Sequence, residues 1–512
     1  MNSPGSAVHL DRRTVRALVM LAMVALAACS AGSRRSDIEP SPHAVLAVAY
    51  ENLADRYLQA LEIDNAALAG LARYAMLDPD LVVKRARGVV RINYAGSEIA
   101  ARPEPGPRDA LGWAWLTADL VEISRNASAR LRVRTIDEIY DAIFSGVMMG
   151  LDPYSRYASP VAARRARESR EGFGGIGVTM ATDDGVTSIV AIHDNGPAEK
   201  AGLKANDVII QVNGKPIKDL TQDEIVGLLR GPNGSEIRLT VKRKGVDKPF
   251  DVSMTRTHVV PPTVIARRDG NVLTVRLTSF NQHTAASLER ELRRGLSGDS
   301  QRPATGIVLD LRGNPGGLLD QAVEVADLFL GDGRIVSTSG RHPDANQTFD
   351  ATSGQVAEKV PIVVLINGRS ASSAEVVAAA LADRGRALVI GSTSYGKGTV
   401  QTIVRLPNAG ELTLTWARIF SPSGKLLQER GVVPAVCLAD DDLRSSRLIA
   451  ALRAHSATVA QLTDLPANAA ESCPRGDGET RNVDAEIARR ILAEPALYAA
   501  VIDSKRPNVA AR

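Results

Sequence analysis

Four short apolar runs, "NVLTVRL" (271–277), "TGIVLDL" (305–311), "VPIVVLI" (360–366) and "ALVIG" (387–391), constrain the fold of this chain more than any other feature. Each ends in a polar or Gly-rich turn, and helical spans at 283–296, 318–330 and 372–384 alternate with them. Runs so short read as strands, and strands alternating with helices form a sheet with parallel components, whose loops at the strand ends usually hold the chemistry. At 512 residues, with 42 glycines, the chain is too long for one core and reads as two to four domains of mixed α/β character.

The N-terminus has a different texture. Arg12, Arg13 and Arg16 precede the apolar run "ALVMLAMVALAA" (17–28), too short for a bilayer span but suited to the core of a signal peptide. "LAAC" (26–29) then resembles the bacterial lipobox, which implies removal of residues 1–28 and lipidation of Cys29. Residues 29–42, rich in Ser, Arg and Pro, suit a flexible tether. The expected location is therefore the cell envelope, periplasm-facing, with a lipid anchor to a bacterial membrane. Two cysteines remain, Cys437 and Cys473; in an oxidising space they read either as a disulfide stapling the C-terminal tail or as two unrelated thiols.

Residues 43–171 read as a mostly helical region, with "TIDEIYDAIFSGVMMGLDP" (135–153) opening on a Thr cap. From 172 to 256 short β-branched runs alternate with turn residues, and the loop "FGGIGV" (173–178) carries glycines that let successive N–H groups converge on a carboxylate. By itself such a loop reads first as a strand-entry turn. The basic runs "RRARESR" (164–170) and "KRKG" (242–245) carry no interleaved aromatics and read as solvated faces, so no nucleic-acid partner is expected. Residues 437–512 read as a C-terminal extension, helical in part, with 485–501 a packing or assembly helix.

The chemistry centres on "NGRSASSAEVVAAAL" (367–381), where a strand runs into a helix. A serine at that junction either caps the helix, with Glu375 completing a capping box to Ser372, or presents its Oγ as a nucleophile. Nucleophilic use needs a base. None of the seven histidines is linked to this loop by a motif, whereas "SYGKGTVQ" (394–401) sets Lys397 between two glycines that permit close backbone approach. A lysine kept from water there loses its preference for charge, from an ordinary pKa of about 10.4, and can act as a base. "DLRGNPGG" (310–317) adds glycines whose N–H groups could face an oxyanion.

Taken in order, "LDPYSRY" (151–157), the PDZ-like set "FGGIGV", "GPAEKAGLKANDVIIQVNGKPI" and "LLRGPNGSEIRLTVKRKG", then "DLRGNPGG", "RSASSAE", "YGKGTVQ" and "SPSGKLLQERGVVP" resemble the C-terminal processing, or tail-specific, serine proteases of the Ser-Lys type. The resemblance spans residues 128–436. It implies a multi-domain α/β fold, with a crotonase-like protease core (257–436), an inserted PDZ domain (172–256) and the helical N-terminal region. It also implies Ser372 as nucleophile and Lys397, 25 residues later, as general base, oriented by Gln401. The N–H groups of Gly317 and Ser373 would hold the oxyanion; Ser370 would give local support.

In the PDZ loop, Gly174, Gly175, Ile176 and Gly177 would capture an unstructured C-terminal tail and regulate access. Departures from the family pattern fall at Asn206, usually Gly, at Ser373-Ala374, at Ser392 and at Ala435. Asn206 keeps the turn because Asn tolerates positive φ. No metal or organic cofactor is implied. Protein substrates with unstructured C-termini are the expected partners, while an activator or adaptor and self-association stay open. Two competing readings remain: a catalytically inactive lipoprotein that uses its PDZ domain as a tail-binding scaffold or adaptor, and a His-dependent hydrolase.

Overall fold

The computed structural model describes residues 40–297, 302–438, 447, 450, 451, 473–476 and 482–505. The signal segment 1–28, Cys29 and most of the tether lie outside the described residues. From Pro42 onward the described residues belong to one compact unit.

Its centre is a six-stranded sheet in the order Val264–Asp269, Val272–Leu277, Gly306–Asp310, Ile362–Ile366, Leu388–Gly391, Val436–Cys437. The first pair is antiparallel and the other four are parallel, as the alternation of strands and helices demands. Gly306–Asp310 and Ile362–Ile366 are buried at every position, which is why they read as continuous apolar runs. Side chains nevertheless sort by pleat. Ile307, Leu309, Ile362, Val364 and Ile366 join the core formed with helices Thr284–Ser297, Leu319–Asp327 and Ser373–Asp383, whereas Val308, Val363 and Leu365 face the opposite way.

That second face is covered by Ile487, Ile491, Leu492, Tyr498 and Val501 from helices Asn482–Ala493 and Pro495–Lys505. The C-terminal extension therefore completes the protease core. Its expected single helix over 485–501 is corrected to two, split at Glu494, because Pro495 lacks an N–H and disfavours helical geometry in the residue before it. A second sheet joins Gln347–Asp350, Arg334–Gly340, Glu411–Phe420 and Thr399–Arg405, with Arg156–Ala158 added to Glu411–Thr413.

Residues 43–171 need one correction. Helices Pro42–Arg56, Ile63–Ala75, Ala110–Ala127 and Ile136–Met149 are present, and Thr135 caps the last through a capping box with Glu138. Between them, however, Leu81–Ala86, Val89–Tyr94 and Ser97–Pro103 form an antiparallel meander whose turns use positive φ at Arg87, Gly88, Ala95 and Gly96. The β-branched residues of "LVVKRARGVVRINY" fit this pleated, half-buried surface. The region packs on Val404, Leu412 and Leu414 of the second sheet and on Leu406 just beyond its strand.

The inserted domain has its own core around Ile189, Ile209, Ile237 and Leu239. Its sheet runs Phe250–Thr255, Glu236–Lys242, Val208–Val212, Val186–Ile192, Val178–Asp183, leaving the last strand at an edge. The chain enters and leaves through one ribbon, Phe173–Gly175 against Thr257–Val259. Asn206 has φ +69°, so asparagine fills the turn where the family pattern has glycine.

Candidate active site

Ser372 lies at the N-cap of helix Ser373–Asp383 with φ 55° and ψ −118°. Such a conformation costs an L-residue roughly 1–3 kcal/mol and persists only where surroundings fix it. Two contacts do so. The Ser372 N–H donates to Glu375 Oε2 at 2.7 Å, and Gly316 is so close that a Cβ placed on it would come within 2.8 Å of Ser372 Cβ. Only glycine, at φ +96°, fits that approach.

Glu375 is fully buried and binds both active loops. Besides Ser372 N–H, its carboxylate accepts from Lys397 N–H (2.9 Å), Gly396 N–H (2.6 Å) and Ser394 Oγ (2.5 Å). Burial pushes its pKa up, while these donors act in the opposite sense. Tyr395 N–H also donates to Ser370 O, and the buried Ser370 Oγ donates to Leu311 O, so serine loop, lysine loop and "DLRGNPGG" loop are bonded to one another.

The glycines flanking Lys397 have distinct uses. Gly396 takes φ +87°, and a Cβ on Gly398 would lie 1.9 Å from Gln428 N. Burial holds the Lys397 ammonium below its ordinary pKa, helped by the nearby Arg156 guanidinium and opposed by Asp152 and Glu375. Its Nζ lies 4.9 Å from the centre of the Tyr154 ring. No hydrogen bond joins Lys397 Nζ to Ser372 or to Gln401 among the described residues; Gln401 Nε2 donates instead to Thr399 Oγ1 (3.0 Å) and Thr415 Oγ1 (3.3 Å), and Thr415 Oγ1 donates to Asp152.

Two N–H groups border the serine. Phe280 N–H donates to Gly316 O and Leu318 N–H to Phe280 O, which skips the Gly317 N–H; Ser373 Oγ donates to Gly317 O. Neither the Gly317 nor the Ser373 N–H has a hydrogen-bond partner among the described residues. Both are therefore available to a developing oxyanion. The five described histidines lie elsewhere: His43 stacks on Trp115, His193 bonds Thr179, His258 bonds Gln282, His342 caps a short turn, and His283 opens another helix. No cluster of metal-ligating side chains occurs among the described residues.

In the inserted domain the N–H groups of Ile176 and Gly177 are likewise unpartnered among the described residues, and Gly177 has φ +75°. A Cβ on Gly174 would lie 2.0 Å from Gly231 O, so the loop closes tightly on the segment after helix Gln222–Leu229. A cavity of about 840 Å³ opens there, lined by Phe173, Gly174, Val226, Arg230 and Pro232, with the Arg230 guanidinium 4.0 Å from the centre of the Phe173 ring.

Known proteins match this chain in sequence. The profile of peptidase family S41 covers residues 271–437, and a PDZ-domain profile covers 188–243. A carboxy-terminal-processing protease of Bartonella bacilliformis is 41% identical over 300 residues, 58% of this chain and 69% of that one. The chain belongs to this family, peptidase family S41. The carboxy-terminal processing protease CtpA of Bacillus subtilis is 35% identical over 303 residues, 59% of this chain and 64% of the relative. Among solved structures, a photosystem II D1 C-terminal processing protease is 27% identical with a TM-score of 0.35, covering 65% of this chain and 94% of that chain.

Within this S41 protease, three groups escaped sequence reasoning. Glu375 was visible only as half of a capping box, yet it bonds both loops. Tyr154, Asp152 and Arg156 wall the lysine, although "LDPYSRY" had carried weight only as part of a pattern. Cys437 and Cys473 form the disulfide that was one of their two readings, with Cα atoms 5.7 Å apart; what escaped is that residues 473–476 lie against the lysine loop, for which the sequence carries no signal.

Proposed function

We propose that this S41 chain is a serine endopeptidase that cleaves proteins near their C-terminal tails. Neutral Lys397 takes the proton from Ser372 Oγ, which attacks the scissile carbonyl; the Gly317 and Ser373 N–H groups stabilise the oxyanion; Lys397 returns the proton to the leaving amine. Water, activated by the same lysine, then hydrolyses the acyl-enzyme. Lys397 reaches Ser372 by swinging off the Tyr154 ring, and Gln401 orients it in that position.

The observation that carries this reading is the shared carboxylate: Glu375 Oε2 accepts from the N–H of both Ser372 and Lys397, so one buried group sets the spacing of the two loops. The PDZ domain is the tail receptor. Ile176 and Gly177, in the loop with Gly174 and Gly175, offer N–H groups to a terminal carboxylate, and the edge strand Val178–Asp183 pairs with the extended tail. Access to the protease core is regulated from there.

The domain limits are those of the sequence reading, with the segment after 437 counted as part of the core. Cys29 carries the lipid, and the chain faces an oxidising envelope compartment; the disulfide Cys437–Cys473 supports that setting. No described helix is long and apolar enough to cross a membrane.

The test compares the purified full chain with Ser372→Ala and Lys397→Ala on a protein with a floppy apolar C-terminus, by intact mass. Each substitution lowers kcat by roughly 10³-fold or more while tail binding persists. Continued cleavage by Ser372→Ala overturns the mechanism. Tail binding without cleavage by the wild-type chain favours the scaffold reading instead.

A further inference from the structure

The segment Cys473–Gly476 runs along the back of the loop that carries Lys397. Thr393 donates to it twice, from Oγ1 to Cys473 O (2.6 Å) and from its N–H to Pro474 O. Arg475 answers with Nε to Ser394 O (3.0 Å) and Nη2 to Glu429 O, and the Glu429 N–H in turn donates to Gly396 O (2.8 Å). Gly476 is packed so closely that a Cβ on it would meet Ser392 Oγ at 3.0 Å. Thr393 and Ser394 are both buried, and Ser394 Oγ is one of the donors to Glu375.

The bonded chain is therefore continuous from Arg475 through Ser394 to Glu375, and from Glu375 to the N–H groups of Ser372 and Lys397. What anchors its outer end is the disulfide. Cys437 sits on the strand paired with Leu388–Gly391, the strand that leads into the lysine loop, and the Cys473 partner joins from 36 residues away in sequence. Both ends of the lysine loop's support thus depend on the same sheet edge.

We propose that Cys473–Gly476 is a strap that positions the lysine loop of this protease, with Arg475 as its positioning residue and the Cys437–Cys473 disulfide as its anchor. The strap touches no reacting atom. It acts by holding the backbone of Thr393–Gly396, so the distance Lys397 must cover to reach Ser372 Oγ is fixed. Displacements on the ångström scale at such a site cost up to about 10²-fold in rate. The proposal rests on Lys397 being the base, and its test separates the two ideas.

The full chain is compared with Arg475→Gln, Arg475→Lys, Cys437→Ala/Cys473→Ala and the combination of the last with Arg475→Gln. Arg475→Gln and the cysteine pair each lower kcat about tenfold. KM and binding of a tail peptide to the PDZ domain stay within about twofold, since the strap lies away from the receptor loop. Arg475→Lys restores only part of the loss, because an ammonium cannot hold two carbonyls in the geometry of a guanidinium. Adding Arg475→Gln to the disulfide-free chain causes little further loss, as expected when two changes act through one element.

Amide hydrogen exchange over 393–398 gives a readout independent of cleavage: it rises in the strap variants. Unchanged exchange and unchanged kcat overturn the strap, and so does faster exchange with kcat intact. Additive losses overturn the assignment of the disulfide as its anchor. Failure of the Ser-Lys reading shows differently, as cleavage surviving in Ser372→Ala or Lys397→Ala.

Discussion

Two glycine loops in this protein leave backbone N–H groups without partners among the described residues, and they differ in what the fold sets beside them. In Phe173–Gly177 the free donors of Ile176 and Gly177 precede an open sheet edge, with a cavity alongside. In Asn314–Gly317 the free donor of Gly317 lies in a loop pressed against Ser372, and a second donor comes from the first turn of the following helix. On the function proposed above, the same backbone device binds a resting carboxylate in one place and a transient oxyanion in the other. What separates binding from chemistry is the neighbouring side chains, and here those are arranged by a buried glutamate.

The largest effect that can break this comparison comes from Gly317→Ala. Its Cβ would lie 2.1 Å from Phe280 O at φ +152°, so the donor must move. We expect kcat to fall by about 10²-fold or more, with tail-peptide affinity unchanged by fluorescence anisotropy. Full activity in this variant removes Gly317 from the oxyanion site.

The converse change is Gly174→Ala, whose Cβ would lie 2.0 Å from Gly231 O. Moving the loop weakens the hydrogen bonds that the Ile176 and Gly177 N–H groups give the tail carboxylate and raises its Kd about tenfold, measured by the same anisotropy. KM for a tailed protein rises with it, and cleavage of a short untailed peptide does not. Equal loss on both substrates would falsify the division of labour between the loops.

The smallest effect is on pH dependence. Burial holds Lys397 below its ordinary pKa, so the neutral base forms at lower pH than it would in water, and cleavage is lost as pH falls through that lowered value. Arg156→Gln removes a positive neighbour that also favours the neutral form. The Lys397 pKa then rises, and the acid limb of kcat/KM moves to higher pH. Tail binding should not follow this limb, because the PDZ loop uses N–H groups that do not titrate. An acid limb that stays put in Arg156→Gln argues that another group sets it.

Much of the core was legible because its strands are buried on both faces and its helices carry the matching period. The runs at 271–277, 305–311, 360–366 and 387–391 contain the strands Val272–Leu277, Gly306–Asp310, Ile362–Ile366 and Leu388–Gly391. Thr135 as a cap and Asn206 at positive φ were readable for the same reason: capping and turn chemistry act over three or four residues. The meander at 81–103 was not, since its strands bury only Leu81, Val90, Ile92 and Ala100, too few to set a clear alternation against the helical texture around them.

The site was legible only in pieces. "RSASSAE" and "YGKGTVQ" marked the two loops, but the role of Glu375 depends on Ser394, Gly396 and Lys397 folding back onto it. Likewise Arg156 affects Lys397 only because Arg156–Ala158 pairs with Glu411–Thr413, a contact between segments far apart in the chain.

By itself the sequence determined the alternation that builds the parallel sheet, the glycines at turns and close approaches, and the serine and lysine set 25 residues apart. These follow from local rules of backbone sterics, capping and hydrophobic period. Only the tertiary structure decided that the C-terminal helices cover the second sheet face, that Cys473–Gly476 backs the lysine loop, and that one buried carboxylate joins both loops. Such contacts arise from the packing of segments distant in sequence, where burial removes competing water and leaves each polar group dependent on whichever partner the fold supplies.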